Sequence, residues 1–352
     1  MVFMQKKRIA VIFGGCSTEY PISLQSAYSV LLNMDPEKYD VIPIGITRQG
    51  DWYRYNGYYA NIAFDTWMED RNNLVRVTVS SSRSVKGIIE MRNVGNSVVE
   101  LDFAFPVLHG RNGEDGTVQG LFELIGIPVI GCNTLSSALC MDKDRAHKLV
   151  QAAGITVPKS ITIRRNEINE LPDRARNLKY PLFVKPVRSG SSFGITKIHR
   201  EEELLPAAQL AFEHDNIVII EENIDGFEVG CAVMGIDELT VGRVDEIELT
   251  QGFFDYTEKY TLQTSKIHMP ARVSPACEVK IQEAAKSIYK VLGCSGFARV
   301  DMFLSPDNEI VFNEVNTIPG FTSHSRYPNM MKGIGLSFSD MLDKLLGLYI
   351  SA

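Results

Sequence analysis

Four polar residues with the chemistry of a metal site fall on two neighbouring predicted strands near the end of the chain. The segment ARVDMFLSPDNEIVFNEVNTIPG alternates apolar and polar residues on both sides of the turn-rich tetrapeptide SPDN, which predicts an antiparallel hairpin. A register that pairs Asp301 with Glu314 puts four polar side chains on one face. They are Arg299, Asp301, Glu314 and Asn316. The carboxylate and amide oxygens suit Mg²⁺, and a solvated hairpin face with ion pairs is the alternative.

A lysine followed by a Gly/Ser-rich loop has the chemistry to bind phosphate. Lys185 lies on a predicted strand, and the loop from Arg188 to Gly194 offers backbone amides and hydroxyl groups. The loop is not a Walker A motif, because GxxxxGK[ST] does not occur in the chain. Glu221 and Glu228 lie at the ends of later predicted strands and could accept hydrogen bonds from ribose hydroxyls. A plain turn and exposed strand-end glutamates are the alternatives.

The N-terminal part offers polar groups after two apolar strands. Glu19 lies in the GGCSTE turn after the first strand, and His109 follows a later one. Ligands of open α/β sheets bind at the carboxyl ends of parallel strands, so both are candidates for a binding site. GGCSTE is not GxGxxG, so the dinucleotide fingerprint is missing. His109 can also be a structural histidine, and the run GRNGEDGTVQG after it is either a plain loop or a ligand-contacting one.

These groups must be positioned by two kinds of unit. The chain begins with an apolar strand, a Gly-Gly turn and a helix, which predicts a doubly wound parallel sheet of the α/β class. The predicted elements are strands at 9–13, 41–46, 101–108 and 127–130, helices to residue 34 and at 117–125, one long helix ending at Gly154, a helix at 278–291, a hairpin at 297–316 and a helix at 336–350. Residues 51–100 form an insertion of undetermined structure, and the second half is of the α+β class. We predict units at 1–134, 135–224 and 225–352.

The composition narrows the class of protein. The 352 residues are 45% hydrophobic and 22% charged, which excludes a disordered chain and a disulfide scaffold. The net charge of −7 comes from scattered acidic residues, so neither nucleic acid nor a membrane is an expected partner. Six cysteines without CxxC spacing predict mostly buried, reduced thiols. We expect a cytoplasmic protein, because no signal peptide or apolar span of about 18 residues is visible.

Seven motifs occur along the chain in a distinctive order. They are GGCSTEYPISLQS, LHGRNGEDGTVQG, MDKDRAHK, KPVRSGSSFG, FDYTEKY, GFARVDMF and FNEVNTIPGFTSHS. Together they resemble the D-alanine:D-alanine ligase family of ATP-grasp enzymes, and they are most similar to the D-alanine:D-serine ligases of vancomycin resistance, of the VanG type. The resemblance implies a Rossmann-like N-terminal domain followed by a two-part ATP-grasp domain. It also implies ATP, two Mg²⁺ or Mn²⁺ ions, D-alanine and D-serine as substrates, and a homodimer.

The resemblance implies a role for each residue that matches a motif. Glu19 meets the ammonium of the first D-alanine and is joined to Ser191 and Tyr260 by hydrogen bonds, and His109 lies near the carboxyl group of that substrate. The implied nucleotide and phosphate contacts are Lys143, Lys185, Ser192, Glu221, Glu228 and Lys259. The implied metal ligands are Asp301, Glu314 and Asn316. Arg299 and the backbone amide of Gly320 face the reacting acyl group, and Ser325 contacts the carboxylate of the second substrate.

The choice of second substrate depends on a few positions. Family members that use D-lactate lack the triplet Glu258-Lys259-Tyr260, which this chain keeps, so an amide product is expected. Phe254 and Arg326 differ from ordinary D-alanine:D-alanine enzymes and resemble the serine enzymes. Arg326 could meet a serine hydroxyl directly, through water, or by orienting a carboxylate such as Asp245. The alternative is that Arg326 points to solvent.

Other functions and roles stay open at this point. The nearest alternative is a D-alanine:D-alanine ligase of normal cell-wall synthesis. A nicotinamide dehydrogenase would need a GxGxxG loop, and a non-catalytic two-domain amino-acid binding protein normally carries an export signal. Loops 188–194 and 251–269 are the expected lids that exclude water, and the aromatic residues of the second loop could instead be buried anchors.

Overall fold

The N-terminal part is built on a mixed seven-stranded sheet. The computed structural model describes residues 6–190, 193–249 and 265–350. The strands are β1 (Lys7–Gly14), β2 (Tyr39–Ile46), β3 (Trp52–Tyr55), β4 (Leu74–Val79), β5 (Gly87–Met91), β6 (Asn96–Glu100) and β7 (Phe103–Pro106), in the order β6-β5-β4-β3-β2-β1-β7. The helices are α1 (Tyr20–Asn33), α2 (Tyr59–Ala63) and α3 (Thr117–Leu124).

Parallel pairing is confined to one end of this sheet, where β2, β1 and β7 lie side by side. β1 pairs in parallel with β2 and β7, as predicted, whereas β3 to β6 pair in antiparallel fashion. The insertion at 51–100 therefore extends the sheet as hairpin strands. The predicted strand at 127–130 is wrong, since only Val129 bridges to Ala104. Pro128 has no N–H to donate, which limits pairing along that segment.

β1 is buried on both faces, which explains its unbroken apolar sequence. Val11 packs in one cluster with Leu24 of α1, and Ile12 packs in another with Phe122 of α3. Gly14 ends the strand with φ +88°, and a Cβ there would lie 2.2 Å from the carbonyl oxygen of Ile46. The glycine turn is therefore required for the chain to leave the sheet toward Glu19.

The central and C-terminal parts each contain one antiparallel sheet. The central sheet has β8 (Ser160–Arg164), β9 (Leu182–Pro186), β10 (Thr196–Ile198) and β11 (Ile217–Glu222), in the order β10-β9-β11-β8. The C-terminal sheet has β12 (Phe227–Gly235), β13 (Thr240–Leu249), β14 (Ser265–His268), β15 (Gly296–Leu304) and β16 (Ile310–Asn316), in the order β14-β13-β12-β15-β16. Both agree with the expected α+β class.

The helices around these two sheets include one departure from the sequence pattern. They are α4 (Thr134–Met141), α5 (Lys143–Ala152), α6 (Leu171–Ala175), α7 (Leu204–Ala211), α8 (Pro275–Val291), α9 (Arg326–Lys332) and α10 (Phe338–Ile350). The predicted single helix ending at Gly154 is wrong, because α4 and α5 are separated at Asp142. The Asp142 carboxylate accepts a hydrogen bond from the Arg145 N–H at 3.0 Å, so it caps α5 instead of continuing α4. This break places Lys143 at the first turn of α5.

An aromatic cluster joins the N-terminal and C-terminal parts. The ring of Phe297 lies 6.0 Å from that of Phe105, 5.1 Å from that of Phe321 and 5.8 Å from that of Tyr327. All four rings are buried.

The six cysteines are all free thiols. Five of them are buried, and Cys16 is exposed. Within the described ranges, no helix is long and apolar enough to cross a membrane.

Phe297→Ala is expected to lower the free energy of unfolding by about 3–5 kcal/mol, because it removes a fully buried ring from this cluster. Urea denaturation followed by circular dichroism measures the change. Leu124→Ala is the control, since Leu124 is 68% exposed and its truncation should cost no more than about 0.5 kcal/mol. Equal losses in the two variants would contradict the joining role of the cluster.

Candidate active site

Two adjoining cavities lie where the three sheets approach one another. The first cavity, of about 320 Å³, is lined by loops that follow β1 and β7 and by the segment after β16. The second cavity, of about 510 Å³, is lined by β9, β11, β12 and β13 and by the turn at 223–226. Lys143, Ser189 and Glu314 line both cavities. These three residues therefore mark the junction between them.

The β15–β16 hairpin places the predicted metal residues on one face. Arg299 pairs with Asn316 and Asp301 pairs with Glu314, so the predicted register is confirmed. Arg299 Nε donates to Asp301 Oδ1 at 2.8 Å, and its second terminal nitrogen donates to Oδ2 at 2.7 Å. Asn316 Nδ2 donates to the same Oδ2 at 2.8 Å. The sequence left open a solvated hairpin face with ion pairs. Asp301 is only 1% exposed, so its side chain is not solvated, but it does form an ion pair with Arg299.

The hairpin residues fit a divalent cation by residue type and by charge. Lys143 Nζ lies 3.4 Å from Glu314 Oε2, so each carboxylate faces a cationic side chain. A buried carboxylate requires such a positive partner, and a metal ion meets the same requirement. Within residues 6–190, 193–249 and 265–350, no group of three or more His, Cys, Asp or Glu side chains is arranged to hold a metal ion. The predicted metal site has only two carboxylate ligands, Asp301 and Glu314, so it needs the side-chain amide oxygen of Asn316 as a third.

Arg326 lies against the middle of the C-terminal sheet. It is 8% exposed, and its Nε and one terminal nitrogen donate to the two carboxylate oxygens of Asp245 at 2.7 and 2.8 Å. Gly230 makes room for the guanidinium, because a Cβ there would lie 2.3 Å from that terminal nitrogen. Burial lowers the pKa of Arg326, but the charges of Asp245 and Asp301 outweigh burial and raise it. The alternative in which Arg326 points to solvent is wrong.

Lys185 and Glu221 lie side by side in the second cavity. Lys185 Nζ is 2.6 Å from Glu221 Oε2, across the paired strands β9 and β11. His147 Nδ1 lies 3.5 Å from Glu221 Oε1. Burial acts to raise the pKa of the Glu221 carboxyl, but Lys185 and His147 together lower it. Lys143 lines the same cavity, and its Nζ donates to the Ser189 carbonyl at 3.0 Å. Both predicted phosphate-binding lysines therefore face the second cavity.

His109 connects the N-terminal wall of the first cavity to the segment after β16. Burial lowers its pKa despite the opposing charge of Glu19, so the ring is neutral. Its Nδ1–H donates to the Ile318 carbonyl at 2.9 Å, which leaves Nε2 to accept from the Ser26 hydroxyl at 3.0 Å. Ser17 Oγ donates to the carbonyl of His109 at 2.7 Å. Both ring nitrogens thus bond to protein atoms: Nδ1 holds the Ile318 carbonyl, and Nε2 contacts Ser26, whose Oγ also accepts from the Phe321 N–H at 3.2 Å.

Glu114 holds the same segment through the backbone N–H of Ile318. The Gly110 N–H donates to one carboxylate oxygen of Glu114 at 2.7 Å, and the Ile318 N–H donates to the other at 3.3 Å. His109 and Glu114 therefore bind the C=O and the N–H of one residue. Gly320 and Ser325 follow closely and line the first cavity, with the Thr322 N–H donating to Ser325 Oγ at 3.0 Å.

Comparisons with known proteins identify the family. The family model for the D-ala D-ala ligase N-terminus matches residues 8–132, and the model for the D-ala D-ala ligase C-terminus matches residues 149–347. The chain belongs to the D-alanine–D-alanine ligase family. It is therefore a ligase of the D-Ala-D-X class with an ATP-grasp fold, and the family implies ATP and a divalent metal ion.

Individual relatives cover almost the whole ligase. The crystal structure of the VanG D-Ala:D-Ser ligase from Enterococcus faecalis is 67% identical with a TM-score of 0.93, and the match covers 98% of this chain and 100% of that one. The vancomycin C-type resistance protein VanC1 of Enterococcus gallinarum is 44% identical over 97% of this chain and 98% of its own. The D-alanine–D-alanine ligase of Caldicellulosiruptor bescii is 44% identical, and the match covers 99% of this chain and 96% of that protein. This membership favours a ligase over a dehydrogenase and over a non-catalytic binding protein.

Several predicted site residues of the ligase lie outside the described residues. They are Ser191, Ser192, Phe254, Lys259 and Tyr260. Most of the expected lid at 251–269 lies outside them too.

Glu19, which is 8% exposed, lines the first cavity together with His109, Arg299 and Gly320. The structure thus brings the described candidates together, while the role of each stays a prediction.

Sequence reasoning missed Glu114 as a site residue. The only signal was the run GRNGEDGTVQG, which allowed a plain loop and a ligand-contacting loop alike. Burial, and then the negative charge of Glu19, raise the pKa of Glu114 to about 8, although the N–H groups of Gly110 and Ile318 oppose this. His147 was missed as well, because its contact with Glu221 joins a helix to a strand far along the chain.

Glu114 should make folding stability fall as pH rises. Its pKa is about 8 in the folded ligase against an ordinary 4.5, so its contribution is complete below about pH 4.5 and is lost as the pH rises through about 8. Glu114→Gln removes this loss, so the variant should gain stability relative to the wild type across that window. Urea denaturation at stepped pH measures the difference. Glu213→Gln is the control, because Glu213 is exposed. Parallel curves of unfolding free energy against pH for the wild type and Glu114→Gln would refute the expectation.

Proposed function

We propose that this ligase joins D-alanine to D-serine and supplies D-Ala-D-Ser for altered peptidoglycan precursors, which confers vancomycin resistance. The observation that carries the proposal is the buried Arg326, which lines the first cavity and is paired with Asp245. A serine hydroxyl needs a polar partner in the cavity, whereas the methyl group of D-alanine gains nothing from one. The 67% identity to the VanG D-Ala:D-Ser ligase supports the same assignment.

The two cavities divide the substrates in this proposal. ATP occupies the second cavity, where Lys185, Glu221 and Glu228 lie, and the amino acids occupy the first, where Glu19 meets the ammonium of the first D-alanine. The γ-phosphoryl group passes to the D-alanine carboxylate at the junction, beside Lys143. Activation is needed because an anionic carboxylate resists attack by an amine, and its oxygen is a poor leaving group. The products of this step are D-alanyl phosphate and ADP.

Asp301, Glu314 and Asn316 are the proposed ligands for Mg²⁺ or Mn²⁺, with two ions expected. When bound, such an ion offsets the charge that spreads over the phosphate oxygens. Lys143, 3.4 Å from Glu314, adds positive charge at the same place. Arg299 holds Asp301 from the adjacent position of β15, so the acidic face stays ordered.

The second half of the reaction takes place in the first cavity. The free amine of D-serine attacks the acyl carbon, and the developing oxyanion is stabilised by the Arg299 guanidinium and the Gly320 N–H. The C–O bond to the phosphate then breaks, and inorganic phosphate leaves with the proton that the amine loses. Ser325 binds the carboxylate of D-serine. The His109 and Glu114 contacts to Ile318 hold the segment that carries Gly320, so that its N–H is preorganised. Exclusion of water protects the acyl phosphate from hydrolysis.

Three further expectations stay predictions under this proposal. The three units have limits near residues 134 and 224. The ligase forms a homodimer. It acts in the cytoplasm, where its nucleotide and amino-acid substrates would be available.

A competition assay tests the choice of second substrate. With ATP, MgCl₂ and equimolar D-alanine and D-serine, the purified ligase should release mostly D-Ala-D-Ser, because the Arg326–Asp245 pair offers the hydroxyl a partner. Chromatography of the dipeptides measures the ratio. An equal or greater yield of D-Ala-D-Ala would instead favour a D-alanine:D-alanine ligase of normal cell-wall synthesis, and one relative at 44% identity is named a D-alanine–D-alanine ligase.

Arg326→Leu should shift the product ratio toward D-Ala-D-Ala by about tenfold or more, since the hydroxyl loses its polar partner. The KM for the first D-alanine should stay unchanged. Loss of one partner from a buried ion pair also costs about 3–5 kcal/mol of stability, so the double variant Asp245→Asn/Arg326→Leu, which removes both charges, controls for misfolding. An unchanged ratio in both variants would exclude Arg326 as a selectivity determinant.

A further inference from the structure

One guanidinium connects the two cavities. Arg326 lines the first cavity, and its remaining terminal nitrogen donates to Glu228 Oε1 at 2.9 Å. Glu228 lines the second cavity. A single ion pair therefore crosses the wall between the proposed nucleotide and amino-acid sites.

Three carboxylates surround the Arg326 guanidinium, and they differ in their surroundings. The side chains of Asp245 and Asp301 are 1% and 2% exposed, and Arg326 lies 2.7 and 3.4 Å from them. The side chain of Glu228 is 16% exposed and belongs to the wall of the second cavity. Of these three carboxylates, Glu228 is the one that lines the second cavity, so a nucleotide bound there would contact it directly.

The space around Arg326 makes it sensitive to this partner. On β12, Gly230 pairs with Asp245 of β13 on one side and with Asp301 of β15 on the other. The guanidinium lies over Gly230, where even a Cβ would come within 2.3 Å of it. Glu228 is two residues before Gly230 on the same strand, so both are on the same face. The confined guanidinium is held jointly by Asp245, Asp301 and Glu228, so a change at Glu228 alters one of the three contacts that fix its exact position.

We propose that Glu228 is a positioning residue for the second amino acid: through its ion pair it sets, together with Asp245, the position of Arg326, and a nucleotide bound against Glu228 thereby adjusts the selectivity between D-serine and D-alanine. This inference rests on the proposed function of the two cavities. It gives Glu228 a role beyond its expected contact with adenosine, because the same carboxylate acts on the amino-acid site.

The test compares Glu228→Gln with the matched variant Glu221→Gln at saturating ATP and MgCl₂. Both glutamates line the second cavity, and Glu221 contacts Lys185 and His147 instead of Arg326. Both variants should raise the KM for ATP. Glu228→Gln alone should lower the ratio of D-Ala-D-Ser to D-Ala-D-Ala, by roughly fivefold or more, since it weakens a charge-assisted hydrogen bond. Glu228→Ala removes the bond entirely and should lower the ratio further.

A second arm asks whether Glu228 acts through Arg326. In the Asp245→Asn/Arg326→Leu background, Glu228→Gln should leave the product ratio unchanged. A ratio that falls equally in both backgrounds, or that stays constant in Glu228→Gln and Glu228→Ala of the otherwise wild-type ligase, would overturn the inference.

The proposed function and this inference fail in different ways. If the wild type makes mainly D-Ala-D-Ala, the serine assignment is wrong. The positioning role is then read from the KM for the second D-alanine at saturating ATP. That KM should change in Glu228→Gln and not in Glu221→Gln, and equal values in the two variants would overturn it.

Discussion

The site depends on one constraint: buried and partly buried carboxylates of the C-terminal sheet must be matched by positive charge. Asp245, Asp301 and Glu314 lie on β13, β15 and β16, and Arg326, Arg299 and Lys143 face them. Each cation comes from a different element, namely α9, β15 and α5. Pairing of these charges therefore fixes where α5 and α9 can lie relative to the C-terminal sheet, while Arg299 neutralises Asp301 within β15 itself.

The first cavity is closed by contacts between distant parts of the chain. His109 and Glu114 bind the two polar groups of Ile318, and the rings of Phe105, Phe297 and Phe321 pack behind them. The polar contacts orient the segment that leads to Gly320, while the aromatic cluster anchors it to the N-terminal sheet. A preorganised N–H at this place is what an oxyanion requires, since water would otherwise have to reorganise during the reaction.

Sequence patterns predicted much of this arrangement and failed where tertiary contacts compete. The alternation in 297–316 predicted the hairpin and its register correctly, because the period of two and the SPDN turn are local signals. The same kind of pattern hid the break at Asp142, where one side-chain cap ends α4 and starts α5. It also left 51–100 unassigned, since strands that extend a sheet edge carry mixed polar and apolar residues.

The sequence by itself determined the family, the β1–turn–α1 start, the face shared by Asp301 and Glu314, and the residue types available for phosphate, metal and amino-acid binding. These follow from motif order and from periodicities that span a few residues. Only the tertiary structure decided that Arg326 points inward, to partners 81 and 98 residues away, and that Glu114 binds the Ile318 peptide across 204 residues. The physical reason is that a long charged side chain takes its direction from the buried charges around it, and those are assembled only when distant strands and loops pack together.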